Sequence, residues 1–355
     1  MSIFIPDMFV SFMASSAKVN PHIDKVREES ESWLSRVCGF SPSQSDTLHS
    51  LDFGFFCAVV IPFADETKLR LLCDWGNWIF PFDDAFDNGA LKNDPVMAQR
   101  MIEGLISVME GGLEEPEEPL LKAFQVIWKQ VSEVPKGVQK RFAKYMKEFC
   151  QANLEQVKLQ PSGNIADVDE LTNMRRGLIC TTPIFALVEW VILRSFGALK
   201  RSAGLQMNDR YASDLDLPDE VIDHPVIEEL RVIITDIVWI QNDIVSYFKE
   251  QDLDEQHNLV TAYLLQGYPL QVAFEKSGDL LQSRYRDWYR NFAKLPFWEE
   301  HIDRQVQLYL SGVQNVALAN LNWSFRTDRY WYGQNDKVRT TREVTIPVQP
   351  ALLEV

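Results

Sequence analysis

The chain has 355 residues, 46% hydrophobic and 12% aromatic, enough apolar material for a sizeable core and too much for a disordered or fibrous polypeptide. Its 51 acidic side chains outnumber 35 basic ones, giving a net charge of −16. That balance argues against nucleic acid and anionic membrane surfaces as partners, since both reward clustered Lys and Arg, while an anionic ligand stays open because a bound cation reverses the local sign.

The opening stretch MSIFIPDMFVSFMASS is apolar, but it lacks a basic leading run and contains Pro6 and Asp7, so it is a poor secretory signal. Five cysteines, Cys38, Cys57, Cys73, Cys150 and Cys180, are odd in number and scattered, with no CxxC pair. Buried reduced thiols are the expectation, not a disulfide framework. From Lys68 to Phe80, Leu69, Leu72, Cys73 and Gly76 recur at steps of three and four, the period of a helix. This segment leads through Trp78-Ile79-Phe80-Pro81-Phe82 into Asp83-Asp84-Ala85-Phe86-Asp87, with Pro81 predicting a bend just before the acids.

Helical periodicity returns over Lys136–Lys158, Glu228–Glu250 and Gln305–Ser324. The breaks at Gly111–Pro119, Pro161–Glu170 and before Pro218 lack the length or low complexity of a domain linker. The oily stretch Pro183–Leu193 is interrupted by Glu189 and is too short to span a bilayer. Strand-like alternation is scarce and no βαβ rhythm occurs. The reading is one all-α domain over residues 1–333, cytoplasmic, followed by a loose polar tail over 334–355.

Two acidic constellations carry the chemistry. Asp83 and Asp87 are four apart, so on a helix they lie within ~40° of one another and about 6 Å apart along the axis. An isolated acidic pentad is usually a solvated helix end; three carboxylates ending a Trp- and Phe-rich helix suit the rim of an apolar cavity better. Asn242, Ser246 and Glu250 fall at i, i+4 and i+8, a single stripe bearing an amide oxygen, a hydroxyl and a carboxylate, with Lys249 beside it as a point charge. These are oxygen donors of the kind magnesium prefers, although an ordinary helix with a Lys–Glu surface would read the same way. Neither set is a complete cage, and a diphosphate would supply the missing ligand.

With both constellations in hand, the sequence resembles the class I terpene synthases, specifically the mushroom-type fungal sesquiterpene synthases. Asp83–Asp87 matches that family's DDxxD-type motif and Asn242–Glu250 its NDxxSxxKE triad. Val19-Asn20-Pro21-His22, Gln256-His257-Asn258-Leu259-Val260 and the ending Trp323-Ser324-Phe325-Arg326-Thr327-Asp328-Arg329-Tyr330, with its RY pair, match further, so the likeness runs from about Phe4 to Gly333. The resemblance implies a single-domain helical barrel with a central apolar cavity and Mg2+ as cofactor, three ions of it. Asp83, Asp87, Asn242, Ser246 and Glu250 would be the metal ligands.

Arg175 would sense the diphosphate, with Arg176 the close alternative in Met174-Arg175-Arg176-Gly177-Leu178-Ile179-Cys180, a segment in which Leu178 and Cys180 depart from the family's Thr and Gly. Two arginines capping a helix is the structural alternative there. Lys249, Arg329 and Tyr330 would be the other catalytic donors. Phe80 and Trp323 match positions that line the pocket, and Phe56 and Phe185 join them as weaker candidates. The implied substrate is farnesyl diphosphate, turned over with loss of diphosphate and cyclisation, through a humulyl-type 1,11-closure. A prenyltransferase or a non-catalytic isoprenoid-binding protein would share the helical shape. The first should carry a second DDxxD where this chain has its triad, and the second should have lost its metal ligands. Trp190–Arg210 reads as an insertion, either a loop extension or translated intron sequence. No nucleic acid and no stable membrane insertion are expected, and the chain is read as a monomer or weak homodimer.

Overall fold

The computed structural model describes residues 2–112, 115–159, 167–202, 217–252, 257–331 and 333–345, with backbone alone at 192–202 and 252. Helices follow one another as α1 (Ile23–Cys38), α2 (Pro42–Leu51), α3 (Phe53–Val60), α4 (Glu66–Asp87), α5 (Pro95–Glu110), α6 (Pro119–Val131), α7 (Lys136–Leu159) and α8 (Val168–Leu178). The second half adds α9 (Thr181–Ser202), α10 (Asp219–Ile222), α11 (Pro225–Asp252), α12 (Leu259–Leu265), α13 (Leu270–Phe292), α14 (Glu300–Ser324) and α15 (Asn335–Thr341). The periodic segments of the sequence are thus α4, α7, α11 and α14. Local chemistry sets several starts: Ser41 and Gln44 cap each other at α2 ahead of Pro42, Asp65 accepts from the Lys68 amide at 3.0 Å, and Asp167 from the Glu170 amide at 2.8 Å.

α4 is buried nearly all round, which is why its sequence is apolar on more than one face. It packs against α1, α3 and α6, while α14 packs on α3, α9 and α11, and α11 on α13. The helix continues from Glu66 to Asp87 through Pro81, although Pro81 has no N–H for the preceding turn. α8, α9, α11 and α14 supply the other walls of the space that α3 and α4 face. Gly76 lets two of these layers meet: a Cβ there would stand 2.7 Å from the Phe53 ring. The five cysteines are free, four of them buried and Cys38 partly so.

Residues after Gly333 correct the loose-tail reading. Asn335–Thr341 is a helix, and Glu343–Thr345 is a strand, β2, antiparallel to β1 (Ser2–Phe4) with Ile3 opposite Val344. Val338 and Val344 are buried, so two well-spaced apolar residues anchor a segment whose average composition is polar. Residues 346–355 lie outside the described residues. Of the segment read as an insertion, Trp190–Ser202 continues α9, and 203–210 lie outside the described residues.

α7, α9 and α10 are joined by charge. Arg141 donates to both oxygens of the wholly buried Glu189, at 2.9 and 2.5 Å, and to Asp219 at 2.6 Å. Replacing Arg141 by Ala takes the cation and two hydrogen bonds from a buried carboxylate, so Arg141→Ala should lower unfolding free energy by about 3 kcal/mol, read as a shift in the urea midpoint.

Candidate active site

A cavity of about 170 Å³ lies inside the ring of helices, with charged groups at one end and aromatic rings at the other. α4 turns Trp75, Ile79, Asp83 and Asp87 into it at four-residue steps, together with Phe80. α11 contributes Val238, Asn242, Ser246, Lys249 and Glu250 from across the cavity. The stripes read from sequence therefore face one space. α8 ends at Leu178, and the chain breaks at Ile179 and Cys180 before α9 begins. Cys180 holds a left-handed φ of 53°, a conformation that costs a non-glycine residue energy.

The charged end is crowded. Burial lifts the Asp83 carboxyl well above its ordinary value, and Asp87 and Asp84 push it further, against the opposing charge of Arg175 and Arg329. Asp87 accepts from Gln156 Nε2 at 2.9 Å, and the Arg329 guanidinium lies 3.6 Å from Asp84 and over the Phe80 ring. Arg175 donates to Asn242 Oδ1 at 2.9 Å and sits 2.6 Å from Asp243. It stays cationic because Asp243, Glu250 and Asp87 outweigh the burial that opposes its charge. Burial pushes Asp243 up to about 7 in spite of Arg175, with Glu250 adding to the rise. Tyr330 stands beside Arg329, Glu250 and Asn242, its phenol raised by burial.

Asp243 is absent from the stripe read in sequence because it lies one residue round the helix from Asn242. Its other oxygen accepts from the Leu259 amide at 2.7 Å. Asn258 completes this knot: Nδ2 donates to the Asp243 carbonyl and to Glu250, each at 2.8 Å, while Oδ1 caps α12.

The donor set fits a hard divalent cation that arrives with further oxygen ligands. Ser246 Oγ is buried and has no hydrogen-bond partner, and it shares its stripe with an amide and a carboxylate oxygen. Among the described residues no three His, Cys, Asp or Glu side chains converge as a protein-only cage. A ligand rich in anionic oxygen would have to complete the coordination.

Beyond the charges lies an aromatic wall. Phe53 stacks on Phe56 at 4.4 Å, and Trp323 meets Phe53 edge-on at 5.3 Å, Phe80 at 5.7 Å and Tyr330 at 5.8 Å. Phe56, Phe80 and Trp323 thus line the cavity as expected, and Phe53, Trp75 and Asn320 join them without having been read from sequence. Two expectations are corrected. Phe185 is fully buried but off the lining, where its neighbour Ile184 stands, since one residue on a helix is a rotation of about 100°. Arg176 faces away from the cavity, held by Asp236 through two 2.7 Å hydrogen bonds.

Comparison with known proteins identifies the family and the fold. Residues 74–287 match the family described as terpene synthase family 2, C-terminal metal binding. The chain is 33% identical to silphinene synthase of Penicillium patulum, covering 97% of this chain and 90% of that protein. It is 34% identical to (+)-eremophilene synthase of Gibberella fujikuroi, with 92% and 87% covered. Among solved structures, germacradien-4-ol synthase from Streptomyces citricolor superposes with a TM-score of 0.69 at 20% identity, covering 86% of this chain and 95% of that one. Wild-type cucumene synthase gives 0.70, also at 20% identity, with 88% and 99% covered. At these identities the superpositions speak to the fold. No helix among the described residues is long and apolar enough to cross a membrane. The Asn258 knot predicts that Asn258→Ala, losing a cap and two bridging bonds, should cost about 2 kcal/mol of stability in urea unfolding.

Proposed function

The chain belongs to the class I terpene synthases of fungi, cyclases that act as lyases on prenyl diphosphates, and from that premise we propose that its substrate is farnesyl diphosphate and its cofactor Mg2+. The observation that carries the reading is the facing of Asp83 and Asp87 against Asn242, Ser246 and Glu250 across one cavity walled by aromatic rings. In this reading Asp83, Asp87, Asn242, Ser246 and Glu250 would hold the divalent ions, three by the family resemblance, and the ions would supply charge that neutralises the leaving group. Arg175, Lys249 and Arg329 would bring positive charge and, together with Tyr330, hydrogen bonds to the same group, and these gain most as negative charge builds on it.

The C1–O bond then breaks with its electron pair leaving on diphosphate, and an allylic cation remains in the apolar part of the cavity. Phe53, Phe56, Phe80 and Trp323 offer ring faces to that cation, worth roughly 0.5–2 kcal/mol apiece, without offering a nucleophile. Attack by the distal double bond on C1, the humulyl-type 1,11-closure, is the cyclisation the sequence resemblance supports.

Asp83→Asn and Asn242→Ala should each reduce diphosphate release from farnesyl diphosphate by at least about a hundredfold while leaving the urea midpoint near wild type. A fully active variant would remove that residue from the ligand set. Trp323→Leu should change product ratios by gas chromatography more than it changes ionisation. Charge also predicts a pH effect. Asp83 and Asp243 both hold their protons to higher pH than free carboxyls do, and a cation favours the ionised form. Magnesium with inorganic diphosphate should therefore release protons on binding near pH 7 and bind more weakly as pH falls, measurable by calorimetry in buffers of differing ionisation enthalpy.

A further inference from the structure

The loop after α14 carries Arg329 and Tyr330, and it reaches back to a corner that neither constellation includes. Where α2 gives way to α3, Ser50 and Leu51 at the end of α2 and Asp52 just after it each accept a hydrogen bond from the end of α14 or the loop that follows it. Trp323 Nε1 donates to the Leu51 carbonyl at 2.6 Å, Arg326 Nε to Asp52 Oδ2 at 2.5 Å, and Thr327 Oγ1 to the Ser50 carbonyl at 3.4 Å. Thr327 Oγ1 in turn accepts from the Arg329 amide at 3.3 Å.

Asp52 is the charged member of this corner. Its second oxygen takes Arg27 Nη1 of α1 at 2.6 Å, so one carboxylate, largely buried, joins two cations from opposite ends of the chain. The Arg326 guanidinium also covers the Phe55 ring at 4.4 Å, which limits its freedom to swing. Asp52 adopts a left-handed φ of 48°, tolerated by Asp and Asn better than by most residues, and this turn sends Phe53 directly into the aromatic wall.

We propose that Asp52 is a positioning residue that sets the Arg329–Tyr330 pair over the diphosphate end of the cavity through Arg326. The same corner fixes Phe53 and Trp323, so the group that receives the leaving charge and the rings that receive the cation are registered against one turn of backbone. A displacement of about 1 Å in a catalytic donor can cost orders of magnitude in rate, so a residue that touches no substrate can still govern turnover. The rate consequence rests on the proposed role of Arg329 and Tyr330; the anchoring itself does not.

Asp52→Asn keeps the left-handed turn and the side chain's shape while removing the charge, and Arg326→Gln removes the partner, so a folding failure in one leaves the other as a test. Each variant should raise amide hydrogen exchange in residues 325–331 about tenfold and lower kcat for farnesyl diphosphate about tenfold, with KM moving less than threefold. The double variant should be no slower than either single one. A residue that merely stabilises the fold would lower the urea midpoint and leave kcat per folded molecule unchanged. Unchanged exchange in 325–331, or fully additive losses in the double variant, overturns the proposal. Faster exchange in a protein whose wild type releases no diphosphate upholds the anchoring and overturns the substrate assignment instead.

Discussion

Repulsion between carboxylates held where water is scarce governs the arrangement of this protein. Two unit charges 4 Å apart at an effective dielectric near 20 repel by about 4 kcal/mol, and Asp83, Asp87 and Glu250 line the cavity mouth with Asp243 behind them and the half-exposed Asp84 at the edge. The chain answers with two buried arginines, Arg175 from the end of α8 and Arg329 from the loop after α14, each still cationic because of these neighbours. That is enough to fold and leaves the mouth short of positive charge. Divalent ions are what such a mouth would bind, and an anionic substrate would follow them into a chain that is itself strongly acidic.

The aromatic end obeys the opposite requirement. It must present polarisable faces and no reactive heteroatom, and it must keep its shape while a cation rearranges inside it. Interlocked rings supply this: Phe53 stacks on Phe56 and meets Phe80 and Trp323 edge to face, Trp323 meets Tyr330 the same way, and Gly76 makes the approach of Phe53 to α4 possible. The indole nitrogen of Trp323 is tied to a backbone carbonyl, so its polar atom is spent on structure and its apolar face is left for the cavity. Charge and container are thus fastened to the same few helices, and neither can shift without the other.

Much of this was legible in the sequence. Two oxygen-bearing stripes at four-residue spacing needed only helix geometry, and their facing followed from the family resemblance. Arg175 was distinguishable from Arg176 only as a preference, because adjacent helical residues differ by a rotation that sequence alone cannot anchor; Asp236 claims Arg176 from α11. Phe185 and Ile184 were interchangeable for the same reason, both lying in the apolar run Pro183–Val188. Phe53, Asn320 and Asp243 carry no periodic signal of their own, since their roles come from partners far away in the chain. The ordered segment after Gly333 was hidden because β2 is stabilised by β1 at the other end of the chain, and composition does not report a pairing across that distance.

In the proposed function one diphosphate is gripped from two sides through shared divalent ions. The most direct measurement is a crystal structure grown with Mn2+ and inorganic diphosphate, with the metal located by its anomalous signal. Metal peaks are expected within bonding distance of Asp83 on α4 and of Asn242, Ser246 and Glu250 on α11, with the diphosphate between them in contact with Arg329. Metal confined to the outer surface, or a diphosphate bound without either helix, would contradict that grip.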